Sequence, residues 1–466
     1  MPGTTIKRAS YKRIILCCDG TWLESDMGDK SVPSNVAKIA RAIATTGIDE
    51  QGDSVEQIVS YHPGLGTGAL PFQRAIYGGL GWGLDHDVCQ IYDFISNNYE
   101  EGDELFFFGF SRGAFTVRSV ASLVCDIGVM TSVNMTHFAE MWKAYRANTG
   151  EGEFRETKWY RDHTEKLEFR DVKVKVIGVW DTVGALGIPR WPLVDWLTSF
   201  GIPINKQYAF HNTNLSERVE YAFQALAIDE KRLTFSPTLW HKKNRAPAIE
   251  LQQCWFPGVH GNIGGQAEDP RSAGDHEEIG DNAFAWMVDN LHGKLTFDEA
   301  AIMVLVEQHK KALSAGWGCG PIVDNFSGLQ GAFFRLLGTT NRTPGNYPRD
   351  PGDGTDGATN ETLHPLVRIR SSKVRQWNPI PTKGYVLEEP DGTTGWKWKK
   401  PGSQAKPLRE YVMERGKTIS LAYKDEDGKT TNFRTAESLS RTLCPPNILA
   451  DLDRDNAVRR DSFWSE

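Results

Sequence analysis

The run Glu104–Phe110, ELFFFGF, followed at once by Ser111-Arg112-Gly113, constrains this chain more than any other stretch. A short, nearly continuous apolar run stopped by a turn reads as a strand buried on both faces. After Ser111 the period changes, and Val117, Val120, Ala121 and Val124 fall on one helical stripe. The chain therefore passes from strand to helix through Gly109-x-Ser111-x-Gly113. Glycines on both sides let neighbouring backbone approach a strained turn. The first amides and the positive dipole end of the helix point at the hydroxyl. A nucleophilic serine needs that setting. The bland alternative is a strand-to-helix turn built from small residues.

Strand-like and helix-like segments alternate around this turn. Residues 12–18, 55–61, 104–110, 171–180 and 249–256 read as strands. Ser34 caps a helix with Val36, Ile39, Ala40 and Ile43 on one face, and a second helical segment runs to about Tyr99. Residues 216–229 also read as helix, and two helices follow residue 256, the second opened by a capping box at Thr296-Phe-Asp-Glu299. This order predicts an α/β fold with a mostly parallel sheet covered by helices on both faces. From about residue 317 Gly, Pro and charge rise and helical periodicity fades, leaving short strand-like pieces such as GYVLEE and TTGWKWKK. The expected organisation is a catalytic domain over 12–316, with an inserted cap over 182–215, and a loop-rich C-terminal extension over 317–466.

Composition narrows the function classes. Of 466 residues 39% are hydrophobic and 24% charged, as in a globular protein. No apolar run reaches the roughly 20 residues of a membrane span. The N-terminus has no apolar leader, so the expected address is intracellular, in the cytoplasm. The net charge of −7 comes without a basic block, which argues against nucleic acid as a partner. The seven cysteines form no CxxC pair and read as reduced thiols. Fifteen Trp and 22 Phe fit a large core or a greasy groove.

A serine is a poor nucleophile without a base, and the base needs an orienting group. Two later strand ends supply both. GVWDTVG delivers Asp181, and WFPGVHGNIGG delivers His260 on a glycine-rich loop. Carboxyl ends of parallel strands are where ligands bind. The chain order Ser, Asp, His is that of α/β-hydrolases. The alternatives are a helix cap or turn residue for Asp181 and a structural loop histidine for His260, with His211 and His62 as rival bases. An oxyanion hole needs backbone amides. Arg112, just after the serine, offers one, and Gly20 or Thr21 after the first strand offers the other. Asp19 either orients that loop or pairs with Arg112. Gly109 and Gly113 support the turn.

With these pieces placed, the chain resembles a known family. The motifs CCDGTW, YHPGLGTG, GFSRGAFTVR, GVWDTVG, YAFHNTNLSERVEYAFQALAIDEKRLTFSPTLW and WFPGVHGNIGG occur in order over roughly residues 12–291. They are similar to the domain of type VI secretion phospholipase effectors and their uncharacterised fungal and bacterial relatives. The resemblance implies an α/β-hydrolase fold and a phospholipase using Ser, Asp and His, which fall on Ser111, Asp181 and His260. It implies no cofactor. This chain departs from many relatives at Asn212, Asn262 and Gln224, where they carry Asp, Asp and His.

Other signals compete with this reading. Gly64-Leu-Gly66-Thr-Gly-Ala69 matches a dinucleotide fingerprint, but the next strand ends at Gly109-Phe110-Ser111 and not at an acidic residue. Asp19-Gly20-Thr21 is like the phosphatase motif whose nucleophile would stand at Cys17, a residue of the wrong chemistry. Asp19, Asp181 and His260 could instead gather a metal, which would leave Ser111 without a role, and the other alternative is a catalytically silent interaction protein that keeps the fold and uses its tryptophan-rich surface for a partner. Trp191, Trp196 and Phe200 in WPLVDWLTSFGI form either an acyl groove touching a membrane surface or the packing of a cap. Trp396 and Trp398, alternating with lysines, read as an exposed edge strand.

Overall fold

The computed structural model describes residues 7–20, 32–64, 82–148, 153–164, 166–183, 215–242, 249–265, 277–322, 324–326, 328–347, 358–389, 395–402, 407–428 and 431–461. In chain order the strands are β1 (Arg8–Cys18), β2 (Thr46–Ile48), β3 (Ser54–His62), β4 (Glu104–Phe110), β5 (Val129–Met130), β6 (Phe169–Arg170), β7 (Val174–Trp180), β8 (Val219–Ala227), β9 (Glu250–Phe256), β10 (Thr296–Asp298), β11 (Glu361–Leu363), β12 (Val386–Glu388), β13 (Lys397–Lys399), β14 (Leu408–Glu410), β15 (Thr418–Lys424) and β16 (Thr431–Glu437). An 11-stranded sheet runs in the order β12-β13-β14-β11-β9-β8-β7-β4-β1-β3-β2. From β3 across to β14 every neighbouring pair is parallel, and only the outer β2, β13 and β12 pair antiparallel. β10, β15 and β16 form a three-stranded sheet, and β5 with β6 a two-stranded one.

The aromatic block explains why both faces are covered. Successive side chains of a strand point to opposite faces. Phe106, Phe108 and Phe110 join one core with Ile15, Cys17 and Trp180, while Leu105 and Phe107 join the other with Ile14, Leu16 and Val179. Burying each phenyl ring stabilises by roughly 2 kcal/mol. The helix Ser111–Ile127 covers the second face through Val117, Val120, Ala121 and Val124. The helix Glu278–Asn290 covers the first and is buried along its whole length. The helix Leu439–Leu443 docks on it, with Asp289 Oδ1 and Oδ2 accepting the Leu439 and Ser440 amides at 2.6 and 3.1 Å. The helix over Asn35–Ala42 starts at Ser34, whose hydroxyl accepts from the Ala37 amide as expected.

Several expectations are corrected. Residues 216–229 are not helical, because Val219–Ala227 is the central strand β8. Its Glu, Ala, Gln and Leu favour helix, but both faces of this strand are covered, and that removes the period-two alternation that marks a half-exposed strand. Thr296 does not cap a helix. It lies in β10, where its hydroxyl accepts from the Ile48 amide at 3.0 Å. Asp298 caps the helix Glu299–Lys311, accepting from the Ala301 amide. Beyond residue 317 helices occur at Gly328–Leu337, Pro365–Lys373, Leu439–Leu443 and Pro446–Asp461, although helical periodicity fades there in the sequence. There too, β11 to β14 extend the sheet that begins with β1. Trp398 is only 6% exposed, on β13, one strand in from the edge.

Candidate active site

Parallel register sets the geometry. Phe110 at the end of β4 pairs with Trp180 at the end of β7. Ser111 and Asp181 are thus the next residues past two adjacent strand ends. Both take left-handed backbone conformations, with φ of 58° and 41°. Such a conformation costs an ordinary residue roughly 1–2 kcal/mol and persists only where the surroundings impose it. At Ser111 the glycines supply that pressure. A Cβ on Gly113 would lie 2.2 Å from the Cys18 carbonyl oxygen and 2.4 Å from that of Asp19. A Cβ on Gly109 would lie 2.7 Å from the Ala114 Cα and the Gly113 oxygen. The start of the helix therefore presses against the end of β1. Phe110, in the capping position, gives no side-chain hydrogen bond, so the first amides of the helix keep their donor capacity.

His260 opens the short helix His260–Gly264 beyond β9. Its ring lies on Phe110 at 4.6 Å between centroids and meets the edge of Phe235 at 4.9 Å. His260 Nδ1 is 2.7 Å from Asp181 Oδ2, with His260 5% exposed and Asp181 fully buried. An ionised carboxylate only accepts, so Nδ1 carries the proton, and in neutral His260 the lone pair lies on Nε2. That nitrogen is buried and has no hydrogen-bond partner among the described residues.

Asp181 carries more than the imidazole. Arg342 donates from Nη1 to Oδ1 at 3.1 Å and from Nη2 to Oδ2 at 3.0 Å, and the Ala227 amide donates to Oδ1 at 3.1 Å. Burial alone would push this carboxyl up. The Arg342 guanidinium and the His260 hydrogen bond outweigh it and hold the group down at about 2. A second buried carboxylate, Glu230, accepts the His260 backbone amide at 3.2 Å and takes Arg232 through Nε at 2.9 Å and Nη2 at 2.8 Å. Burial pushes Glu230 up, but Arg232 and His260 bring it below its ordinary value. The Arg232 guanidinium lies over the Phe235 ring at 3.6 Å.

The structure brings Asp181 and His260 into contact and seats His260 on the residue before Ser111, which is itself 8% exposed. It does not pair Asp19 with Arg112. The Asp19 carboxylate accepts from Ser34 Oγ at 2.5 Å, Tyr61 Oη at 2.7 Å and the Gly20 amide at 2.7 Å. Asp19 therefore orients its own loop, and the Gly20 amide is engaged there. The rival His62 has Nε2 on Ser60 Oγ at 3.1 Å and not on a carboxylate. Thr21, Trp191, Trp196, Phe200 and His211 lie outside the described residues. Sequence reasoning missed Arg342, Glu230, Arg232 and Phe235. Asp229-Glu230-Lys-Arg232 directly after the apolar run of β8 was a readable cue, a charged cluster at a strand end. Arg342, within TTNRTPGN, had no such cue.

Residues 12–290 match the family model described as the catalytic domain of Tle1-like phospholipase effectors of the type VI secretion system. The chain belongs to this family. It is also 28% identical over 246 residues to the uncharacterised protein YEL023C of Saccharomyces cerevisiae, a match taking in 49% of this chain and 32% of the yeast protein. A solved structure of the Tle1 effector bound to the VgrG spike of the type 6 secretion system is similar with a TM-score of 0.31 and 17% identity, over 56% of this chain and 52% of that one. An uncharacterised protein from Pseudomonas aeruginosa gives 0.35 and 12%, over 70% and 50%. The chain spans about half the length of these two structures and about a third of the yeast protein. Ser111, Asp181 and His260 fall inside the segment matching the Tle1-like model, and Arg342 falls beyond it.

Proposed function

We propose that this Tle1-like chain is a serine hydrolase of the α/β-hydrolase type that cleaves carboxylic esters of lipids. One observation carries the reading. A buried imidazole has one nitrogen on an ionised carboxylate and the other without a partner among the described residues, and its ring rests on the residue that precedes a serine in a strained strand-to-helix turn. Such a nitrogen beside a serine can serve as the general base once the hydroxyl comes within hydrogen-bond reach. No hydrogen bond joins it to Ser111 in this structure, and such contacts commonly tighten only in a substrate complex.

The steps follow from the proton count. His260 Nε2 takes the Ser111 Oγ proton as Oγ attacks the ester carbonyl. The imidazolium is stabilised by Asp181, which stays ionised. The oxyanion meets the uncapped amides at the start of the helix, that of Arg112 foremost. His260 then protonates the leaving alcohol, and an acyl group remains on Ser111. Water, deprotonated by the same nitrogen, releases the acid. Phospholipid is the substrate class the family's name carries, and it enters here as part of the proposal. No helix among the described residues is long and apolar enough to cross a membrane.

The test is hydrolysis of p-nitrophenyl esters from short to long acyl chains, and of phosphatidylcholine vesicles, by wild type and Ser111→Ala. Turnover should vanish in the variant, and a fluorophosphonate should label wild type alone. Equal rates in both proteins would end this reading.

A further inference from the structure

We infer that the chain beyond residue 317 completes the active site, supplying Arg342 as a positioning residue for the Asp181–His260 pair. This rests on the hydrolase reading above. Arg342 is 1% exposed and meets both Asp181 oxygens. The same guanidinium donates from Nη2 to the Phe235 carbonyl at 2.8 Å, and the Phe235 ring edges onto His260. One side chain thus ties the carboxylate to the turn that walls in the imidazole. Two parallel N–H donors to one carboxylate fix its plane as well as its place, which a single lysine contact does not do.

Arg342 is itself held in place by backbone. The Leu233 amide donates to the Gly338 carbonyl at 3.2 Å, and the Thr340 amide to the Lys231 carbonyl at 2.9 Å, with Arg232 and Thr339 bridged between them. On the other side the Thr343 amide donates to Tyr347 Oη at 3.2 Å, and the Tyr347 ring stacks on Trp255 of β9 at 5.7 Å. The segment is therefore clamped to the two chain stretches that follow β8 and form β9, the second of which leads to His260.

The charge arrangement gives the inference a readout of its own. Among the described residues, the ionisable groups around the imidazole are Asp181 on Nδ1, Glu230 on its backbone amide, Arg232 over Phe235, and Arg342 on Asp181, with the Tyr347 phenol also near Arg342. Arg342 offsets much of the Asp181 charge. Without it the Asp181–His260 pair would bind a proton more readily, on whichever of the two residues the proton settles. The acid limb of the rate profile would then move to higher pH. Removing a full charge at this range, in partly screened surroundings, shifts such a pair by roughly one to two pH units.

The experiment uses the full chain. The pH dependence of kcat/KM on a short p-nitrophenyl ester, and of the rate of fluorophosphonate labelling, is compared for wild type, Arg342→Gln, Arg342→Lys and Ser111→Ala, with folding followed by circular dichroism. Arg342→Gln should raise the acid limb by roughly one to two units and lower kcat at least about tenfold. Arg342→Lys keeps the charge but not the fork, so its limb should stay near that of wild type while kcat falls. A folded Arg342→Gln with an unshifted limb, whatever its kcat, overturns the inference, as does an Arg342→Lys limb shifted as far as that of the glutamine variant. If Arg342→Gln does not fold, Arg342→Lys decides alone, and a displaced limb overturns the inference. Activity in Ser111→Ala would instead sink the hydrolase reading. A dead Ser111→Ala beside an unshifted Arg342→Gln would sink only this one.

Discussion

Gly113→Ala adds a single methyl group and should disable the protein. That methyl would lie 2.2 Å from the Cys18 oxygen and 2.4 Å from the Asp19 oxygen. Ordinary carbon–oxygen contact is about 3.3 Å, so the overlap is roughly 1 Å. Both oxygens belong to backbone, at the end of a central strand, and cannot rotate away. The start of the helix must lift from β1 by about that distance. Overpacking of this kind costs about 1–3 kcal/mol. The larger effect falls on the turn, because Ser111 sits two residues away in a strained conformation held by the same contact. Misplacing a reacting group by about 1 Å costs on the order of 100-fold in rate. Urea denaturation and ester turnover measured side by side give both numbers. The expected pattern is a modest loss of stability with a much larger loss of kcat. A variant with wild-type turnover and wild-type denaturation midpoint would show that the glycine does not pin the helix to β1, and the account of the turn would fall.

Asp181→Asn should lower kcat/KM by at least about 10³-fold, because the amide no longer fixes the imidazole tautomer. It should also cost about 3 kcal/mol in a denaturant titration, since Arg342 is left buried without its counter-charge. The Asp181 carboxyl is held at about 2, below the ordinary 3.8, so its share of stability is complete above about pH 4 and is lost as pH falls towards 2. Wild type should show that acid loss of roughly 2 kcal/mol, and Asp181→Asn should not. Ser34 caps one helix and donates to Asp19 at 2.5 Å, so Ser34→Ala should lose about 1–2 kcal/mol by thermal melting. Ser34→Thr should lose little.

The sequence was legible where local chemistry and fold agree. ELFFFGF, KRIILCC and IELQQCWF are apolar runs bounded by turns, and each became a strand of the sheet. Ser111 and Asp181 stood out as candidates because each follows such a run directly, and His260 because it follows one within four residues. The sequence misled at β8, where a strand covered on both faces loses its alternation and its Glu, Ala, Gln and Leu read as helix. It also misled at Thr296, where a side chain suited to capping is spent on the Ile48 amide of a neighbouring strand. Arg342 was invisible for a different reason. Nothing local distinguishes it, and its role exists only once a loop more than a hundred residues from Asp181 in sequence is folded onto the site.

The order of strands in the sheet carries a consequence for synthesis. β9, which leads to His260, lies between β8 and β11, and β11 is Glu361–Leu363. As the chain leaves the ribosome, β9 appears about a hundred residues before the strand that covers its outer side. At 5–20 residues per second that interval lasts roughly 5–20 s. During it a parallel, apolar strand presents an open row of amides and carbonyls, which is the surface other chains add to. Arg342 emerges in the same window. The half-made protein therefore lacks the Asp181–Arg342 pairing while it is at its most adhesive, and a chain that stalls there would meet chaperones first.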